Sequence, residues 1–166
     1  MIVVVIAAIS LAIAPVYWMR PSPRQRQLAR LREHALQLGL RPELRTTPLA
    51  LRHAGCDDKL MKYQWHRPEG NWPRHGESWL AAQQGGEGAK TFAFPPAEGY
   101  QSGPDALLAE LQGSVPESLY AIEADPSGVG FYWHESGDNS RVDELYRLLL
   151  PWVESYRAQY QQRNPG

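Results

Sequence analysis

The chain has 166 residues, with 17 Lys plus Arg against 18 Asp plus Glu and a formal net charge of −1. Once a membrane segment is set aside, that length holds one soluble domain of ordinary size, and the near-neutral balance argues against a whole-chain electrostatic role on nucleic acid. The single cysteine, Cys56, excludes an intramolecular disulfide and fits a reducing compartment, while six Trp and eight Tyr favour a folded domain over a disordered tail.

Residues 1–19 contain no charged side chain, and Arg20, Arg24, Arg26, Arg30 and Arg32 follow almost at once. Such a run predicts a transmembrane helix, because in lipid a helix satisfies its own backbone polar groups. The arginines on its C-terminal side predict that the following domain is cytoplasmic and the N-terminus outside. Ala12-Ile13-Ala14 resembles a signal-peptidase site, but the basic n-region is missing, so the expected segment is an uncleaved anchor. Tyr17 and Trp18 are its expected interfacial anchors. Residues 20–39 then predict a juxtamembrane helix. Ser22 is its cap, Pro23 its first residue and Gln25 the partner in a capping box, with Gly39 as stop. Arginines in a first turn oppose the helix dipole, which favours contact with anionic headgroups for Arg20, Arg24, Arg26, Arg30 and Arg32.

This order of apolar span, YWM, RPSPRQRQ and a short helix ending LGL resembles the N-terminus of YajC, the single-pass accessory subunit of the bacterial Sec translocase, over residues 1–38. The glycine-rich strand region that follows in YajC is not recognisable, and the translocase function is not carried across. The whole chain, including GVGFYWHESGD, looks like a group of uncharacterised bacterial single-pass membrane proteins. What the resemblance implies is a place in the bacterial inner membrane.

Pro42, Pro48 and Gly55 make residues 40–58 read as a linker, and residues 59–158 as an α+β domain. Met61, Tyr63 and Trp65 alternate with Lys62, Gln64 and His66, as a half-buried strand requires. Further strands are expected at 78–83 and 91–94. A helix is expected over 104–112, with Leu107, Leu108 and Leu111 as its buried stripe. A hairpin pairs 120–124 with 129–133 through the turn Asp125-Pro126-Ser127-Gly128, and Gly130 marks a bulge or a close backbone approach. The last helix starts near Ser140, buries Val142, Leu145, Leu149, Trp152 and Tyr156, and contains Pro151; residues 159–166 read as a polar tail. The sum is an antiparallel sheet of about five strands packed with two to three helices.

Chemical motifs are sparse. Residues 84–91 put Gln84 and Ala89 where a phosphate-binding loop requires glycine, and the chain continues into a strand rather than a helix. His53, Cys56, His66 and His75 are ligand types without a framework of tight pairs, so no metal is expected. Asp57-Asp58 reads as a turn or cap. His134 near Glu123 is the one arrangement in which a general base could be placed. Trp72 and Trp79 flank a Pro/Gly-rich loop, where an aromatic can anchor a partner.

The expectation is a single-pass membrane-anchored protein with a small noncatalytic cytoplasmic interaction domain, an accessory subunit of a membrane complex. Its partners are the lipid bilayer and a membrane protein, with no cofactor and no nucleic acid. Two alternatives stay open: a small-ligand or anionic-lipid sensing domain, and an enzyme using His134 with Glu123.

Overall fold

The computed structural model of the chain describes residues 21–68, 78–84, 91–96, 99–113 and 117–163. The expected anchor, with Tyr17, Trp18 and Arg20, lies outside them, as do Trp72, His75 and the 85–90 loop. Among the described residues no helix is long and apolar enough to cross a membrane.

Helix α1 (Pro23–Gln37) begins with the capping box that its sequence predicts. The Gln25 N–H donates to Ser22 Oγ at 3.2 Å and the Ser22 N–H to Gln25 Oε1 at 2.8 Å, which satisfies two donors that a helix start leaves orphaned. Gly39, at φ +82°, ends the helix in the left-handed region and turns the chain into strand β1 (Leu40–Thr46). A short helix α2 (Leu49–His53) leads to β2 (Lys59–His66). Residues 40–58 are therefore part of the domain and no linker: β1 pairs along its whole length with β2, from Leu40 opposite Trp65 to Thr46 opposite Lys59. Pro42 and the charges of Arg41, Glu43 and Arg45 hid it. They are the residues that blunt an outermost strand, which Pro can occupy because one side of its backbone has no partner strand among the described residues.

Strands β3 (Trp79–Gln84) and β4 (Thr91–Ala93), helix α3 (Asp105–Gly113), the hairpin β5 (Leu119–Asp125) and β6 (Gly128–Trp133), and helix α4 (Asn139–Arg163) complete the domain. The class is α+β, with six antiparallel strands in the order β1-β2-β6-β5-β3-β4 and four helices among the described residues. Of the two readings open at Gly130, a bulge or a close backbone approach, the bulge does not hold, since the register irregularity falls in β5, between Leu119 and Ala121. Gly130 instead marks a close approach, since a Cβ there would sit 2.6 Å from the Tyr63 carbonyl oxygen. Helix α4 contains Pro151 and runs on through Arg163, past the expected start of the tail.

Side chains alternate across the sheet, so each face has its own cluster. Tyr63, Trp65, Ala81, Phe92, Ile122, Ala124, Val129, Phe131 and Trp133 point to the face covered by α1, α3 and α4. There Leu31 and Ala35, Leu107 and Leu111, and Val142, Leu145, Leu149 and Val153 are buried, each leucine contributing about 2 kcal/mol by leaving water. Trp79, expected as a partner anchor, belongs to this core, 5.4 Å from Trp152 and 6.3 Å from Phe94 between ring centroids. The opposite face carries Leu60, Leu80, Ala82, Ala121 and Tyr132, which α2 covers through Leu51.

Candidate functional site

On that opposite face the middle of the sheet is charged. Lys62 and Gln64 of β2 and Glu123 of β5 are buried there, at 2%, 0% and 6% exposure, although alternation alone puts Lys62 and Gln64 on a solvent face. Their strands are not neighbours, because β6 lies between them. Gln64 and Glu123 both register with Gly130, which contributes no side chain and leaves the strip over β6 open to long side chains from either flank. Lys62 Nζ crosses it to Glu123 Oε2 at 2.6 Å and Asp125 Oδ2 at 2.9 Å. Burying an ammonium costs several kcal/mol, and two carboxylates at contact distance offset it.

Each carboxylate is fixed by its local structure. Asp125 opens the two-residue hairpin turn, where its Oδ1 accepts the N–H of Ser127 at 2.7 Å and of Gly128 at 3.1 Å, as well as the Ser127 hydroxyl. Burial pushes its pKa up, but Lys62 and Ser127 outweigh that and hold it below the ordinary value. Glu123 accepts the Tyr132 hydroxyl at 2.8 Å and the Tyr100 hydroxyl. Tyr100 is held over the sheet by the following residue, whose N–H donates to Ser78 O at 2.7 Å. Burial, reinforced by Glu123, pushes both phenols well above their usual range, so they remain donors. Gln64 Nε2 donates to Ser127 Oγ at 2.6 Å and to Asp125, while its buried Oε1 has no donor among the described residues.

Two adjoining clefts open over these groups. A polar one of about 310 Å³ is lined by Arg45, Lys62, Tyr100, Glu123, Asp125 and Tyr132. An apolar one of about 730 Å³ lies between Leu49 and Ala50 of α2 and Leu80, Pro95, Pro96 and Tyr100, with Arg52 and His53 among its lining residues. Pro48 and Tyr100 belong to both, so the two form one amphipathic groove in the size range of small-molecule sites. Arg45 is tied to Glu43 at 2.7 Å, and Glu43 also meets His66 Nε2 at 3.0 Å.

His134 and Glu123 are not brought together. Glu123 registers with Gly130, whereas exposed His134 lies beyond Trp133 and donates its backbone N–H to Ser118 O at 2.8 Å. Four residues of extended chain, roughly 13 Å, separate the two positions. The sequence places Lys62 on the outer face of a strand and Asp125 in a turn, and gives neither them nor Tyr100 and Tyr132 a role in a site. The available signal was opposite charge at the centres of two predicted strands, Lys62 in one and Glu123 in the other.

The arginines divide. Arg32 is committed within the domain, with Nε 2.8 Å from Glu135 Oε1 and Nη2 2.7 Å from Oε2. The Arg26 Nε donates to Pro21 O at 3.1 Å, and Arg24 and Arg30 are exposed with no ion pair among the described residues. Arg26 and Arg30 line a cleft of about 510 Å³ beside the start of α4, where Asp138 Oδ1 accepts the N–H and hydroxyl of Ser140. Among the described residues no group of three or more His, Cys, Asp or Glu side chains is placed to hold a metal ion. Comparisons with protein-family models, curated proteins and solved structures found no match to this chain.

Proposed function

We propose that the chain is a membrane-tethered, noncatalytic binding domain whose working surface is the amphipathic groove on the sheet face opposite α4. The observation that carries this reading is the buried Lys62 and Glu123, with the partly exposed Asp125 beside them, at the polar end of an apolar cleft. A sheet face meant only to be covered is served better by apolar side chains, because a buried ion pair is a weak source of stability. Binding is favoured over catalysis because Glu123 is occupied by Lys62, Tyr100 and Tyr132 and lies far from His134. Of the roles expected from the sequence, small-ligand recognition is the one this geometry supports best.

The tether is a single pass through the bacterial inner membrane by residues 1–19, N-terminus outside, with the domain in the cytoplasm. Exposed Arg24, Arg26 and Arg30 on α1 support contact with anionic headgroups. Native mass spectrometry of the full chain from its own membranes tests the groove. A small molecule should co-purify with the wild type and be lost from Ala50→Trp, which fills the apolar cleft, and its retention by that variant would sink the proposal. A reporter fused after Gly166 should behave as cytoplasmic.

A second reading is an accessory subunit that docks on a membrane protein. Leu44 on the outermost strand and Leu36 on α1, 62% and 58% exposed, favour it. Crosslinking in native membranes followed by affinity purification should then recover a stoichiometric protein partner.

A further inference from the structure

The polar end of the groove is satisfied within the chain. Glu123 accepts from Lys62, Tyr100 and Tyr132, and Asp125 from Lys62, Gln64 and the turn at Ser127 and Gly128. The apolar cleft differs, because the side chains that line it leave donors without acceptors. Its Thr47 hydroxyl is spent on Asp57 O at 2.6 Å and its Tyr100 hydroxyl on Glu123. What remains is Arg52 and His53, with no carboxylate or side-chain amide in the lining among the described residues. Arg52 comes only within 4.0 Å of Asp58, a carboxylate that is 91% exposed, and such a surface pair is worth little. His53 has no hydrogen bond or ion pair among the described residues, and its ring donates through at least one nitrogen in either tautomer. The two sit on α2 at the i+3 and i+4 positions from Leu49, so one helix face runs from apolar to basic along the wall of the cleft.

We infer that the groove binds a small amphipathic carboxylate, its head at Arg52 and His53 and its apolar body along Leu49, Leu80, Pro95 and Pro96. This rests on the groove being a binding site, as proposed above. A guanidinium presents its N–H groups in a planar fork that matches a carboxylate, and His53 supplies a further donor beside it. An amine head would bring donors to a cleft whose free groups are donors already and would meet the charge of Arg52. Leu49, 60% exposed although it lines an apolar cleft, is surface that the body of such a ligand covers.

Calorimetric titration of the full chain in phosphatidylcholine nanodiscs near neutral pH, with protein-free nanodiscs subtracted, tests the head group. The probes are octanoate, octanol and octylamine, which share one apolar body. Octanoate should bind once per chain, at least about tenfold more tightly than octanol, as one charge-assisted contact provides, and octylamine no more tightly than octanol. Arg52→Gln should bring octanoate to the level of octanol and leave octanol unchanged, which also shows that the variant is folded, and Ala50→Trp should abolish both. If carboxylate and alcohol bind equally and Ala50→Trp removes both, the carboxylate inference falls and the groove stands. If octylamine binds most tightly, or Arg52→Gln keeps the full preference for octanoate, the inference is overturned outright. If none of the three binds the wild type, or Ala50→Trp changes nothing, the groove reading falls with it.

Discussion

Arg32 and Glu135 meet at two points, and the same Glu135 Oε1 accepts the hydroxyl of Tyr63 at 2.7 Å. A surface helix is thereby joined to a core aromatic. Glu135 has little exposure of its own, 9% against 43% for Arg32, so removing the arginine strands a nearly buried carboxylate. Arg32→Gln should lower the stability of the full chain by about 1–2 kcal/mol in a denaturant titration. Arg24→Gln and Arg30→Gln should stay within about 0.5 kcal/mol and instead weaken binding to anionic vesicles at low salt. Equal effects on stability from all three would show that the Arg32 pair is not structural.

The stability profile should fall at both ends of the pH scale. Asp125 and Glu135 titrate below their ordinary values of 3.8 and 4.5; burial opposes this and their hydrogen-bonded cations prevail. Their contribution is therefore complete above those values and is lost as pH falls through the lower folded ones. Tyr63, Tyr100 and Tyr132 are raised above their ordinary 10.0, by burial first and by an adjacent carboxylate second. Their contribution is complete below pH 10.0 and declines above it. Thermal melts across pH should show both limbs. Asp125→Asn should flatten the acid one and Tyr132→Phe the alkaline one, and unchanged slopes would contradict the assignment.

Lys62 should be harder to replace than the polarity of its neighbours suggests. Lys62→Met leaves Glu123 and Asp125 facing each other without their shared cation and should cost about 3–5 kcal/mol. Adding Glu123→Gln to the same chain should recover part of that loss, a non-additivity that a double-mutant cycle reads directly. A single-variant cost under about 1 kcal/mol would mean that water already screens the pair.

Gly130 offers a purely steric check. Gly130→Ala would press a methyl group against the Tyr63 carbonyl oxygen and the Gln64 Cα, 2.6 and 2.9 Å away, so the β2 and β6 backbones must separate. The expected loss exceeds about 2 kcal/mol. Gly55→Ala, at φ +85° with nothing within 4 Å, should cost only about 1 kcal/mol from its backbone conformation. Reversal of that order in chemical denaturation would exclude the close approach as the cause.

What could be read in advance was whatever depends on neighbours in sequence. The capping box at Ser22, the turn at Asp125 and the alternation through Tyr63 and Trp65 are local, and each predicted its element. β1 does not show in the sequence because an outermost strand pairs on one side only, so Pro42 and three charges can occupy it without losing a ladder partner. The site is hidden from the sequence for a topological reason. Lys62 and Glu123 lie 61 positions apart on strands that do not touch, and only the insertion of β6, with a glycine at the crossing point, brings them within 2.6 Å. Trp79 shows the converse error. A glycine- and proline-rich flank suggested exposure, but its strand pairs with β5 and carries it beneath α4.

The contacts that hold α1 also determine how the domain would respond to being pulled. Gln27 Nε2 donates to Gly137 O at 2.6 Å, Arg32 holds Glu135, and His34 Nε2 lies 2.7 Å from Asp143 Oδ1. All three join one helix to the stretch running from the end of β6 into α4. A tug on residue 21 would be shared among them before it reached Gly39 and the outermost strand. The domain is thus clasped near residue 21, and a load applied there would turn it as a whole before it peeled the sheet.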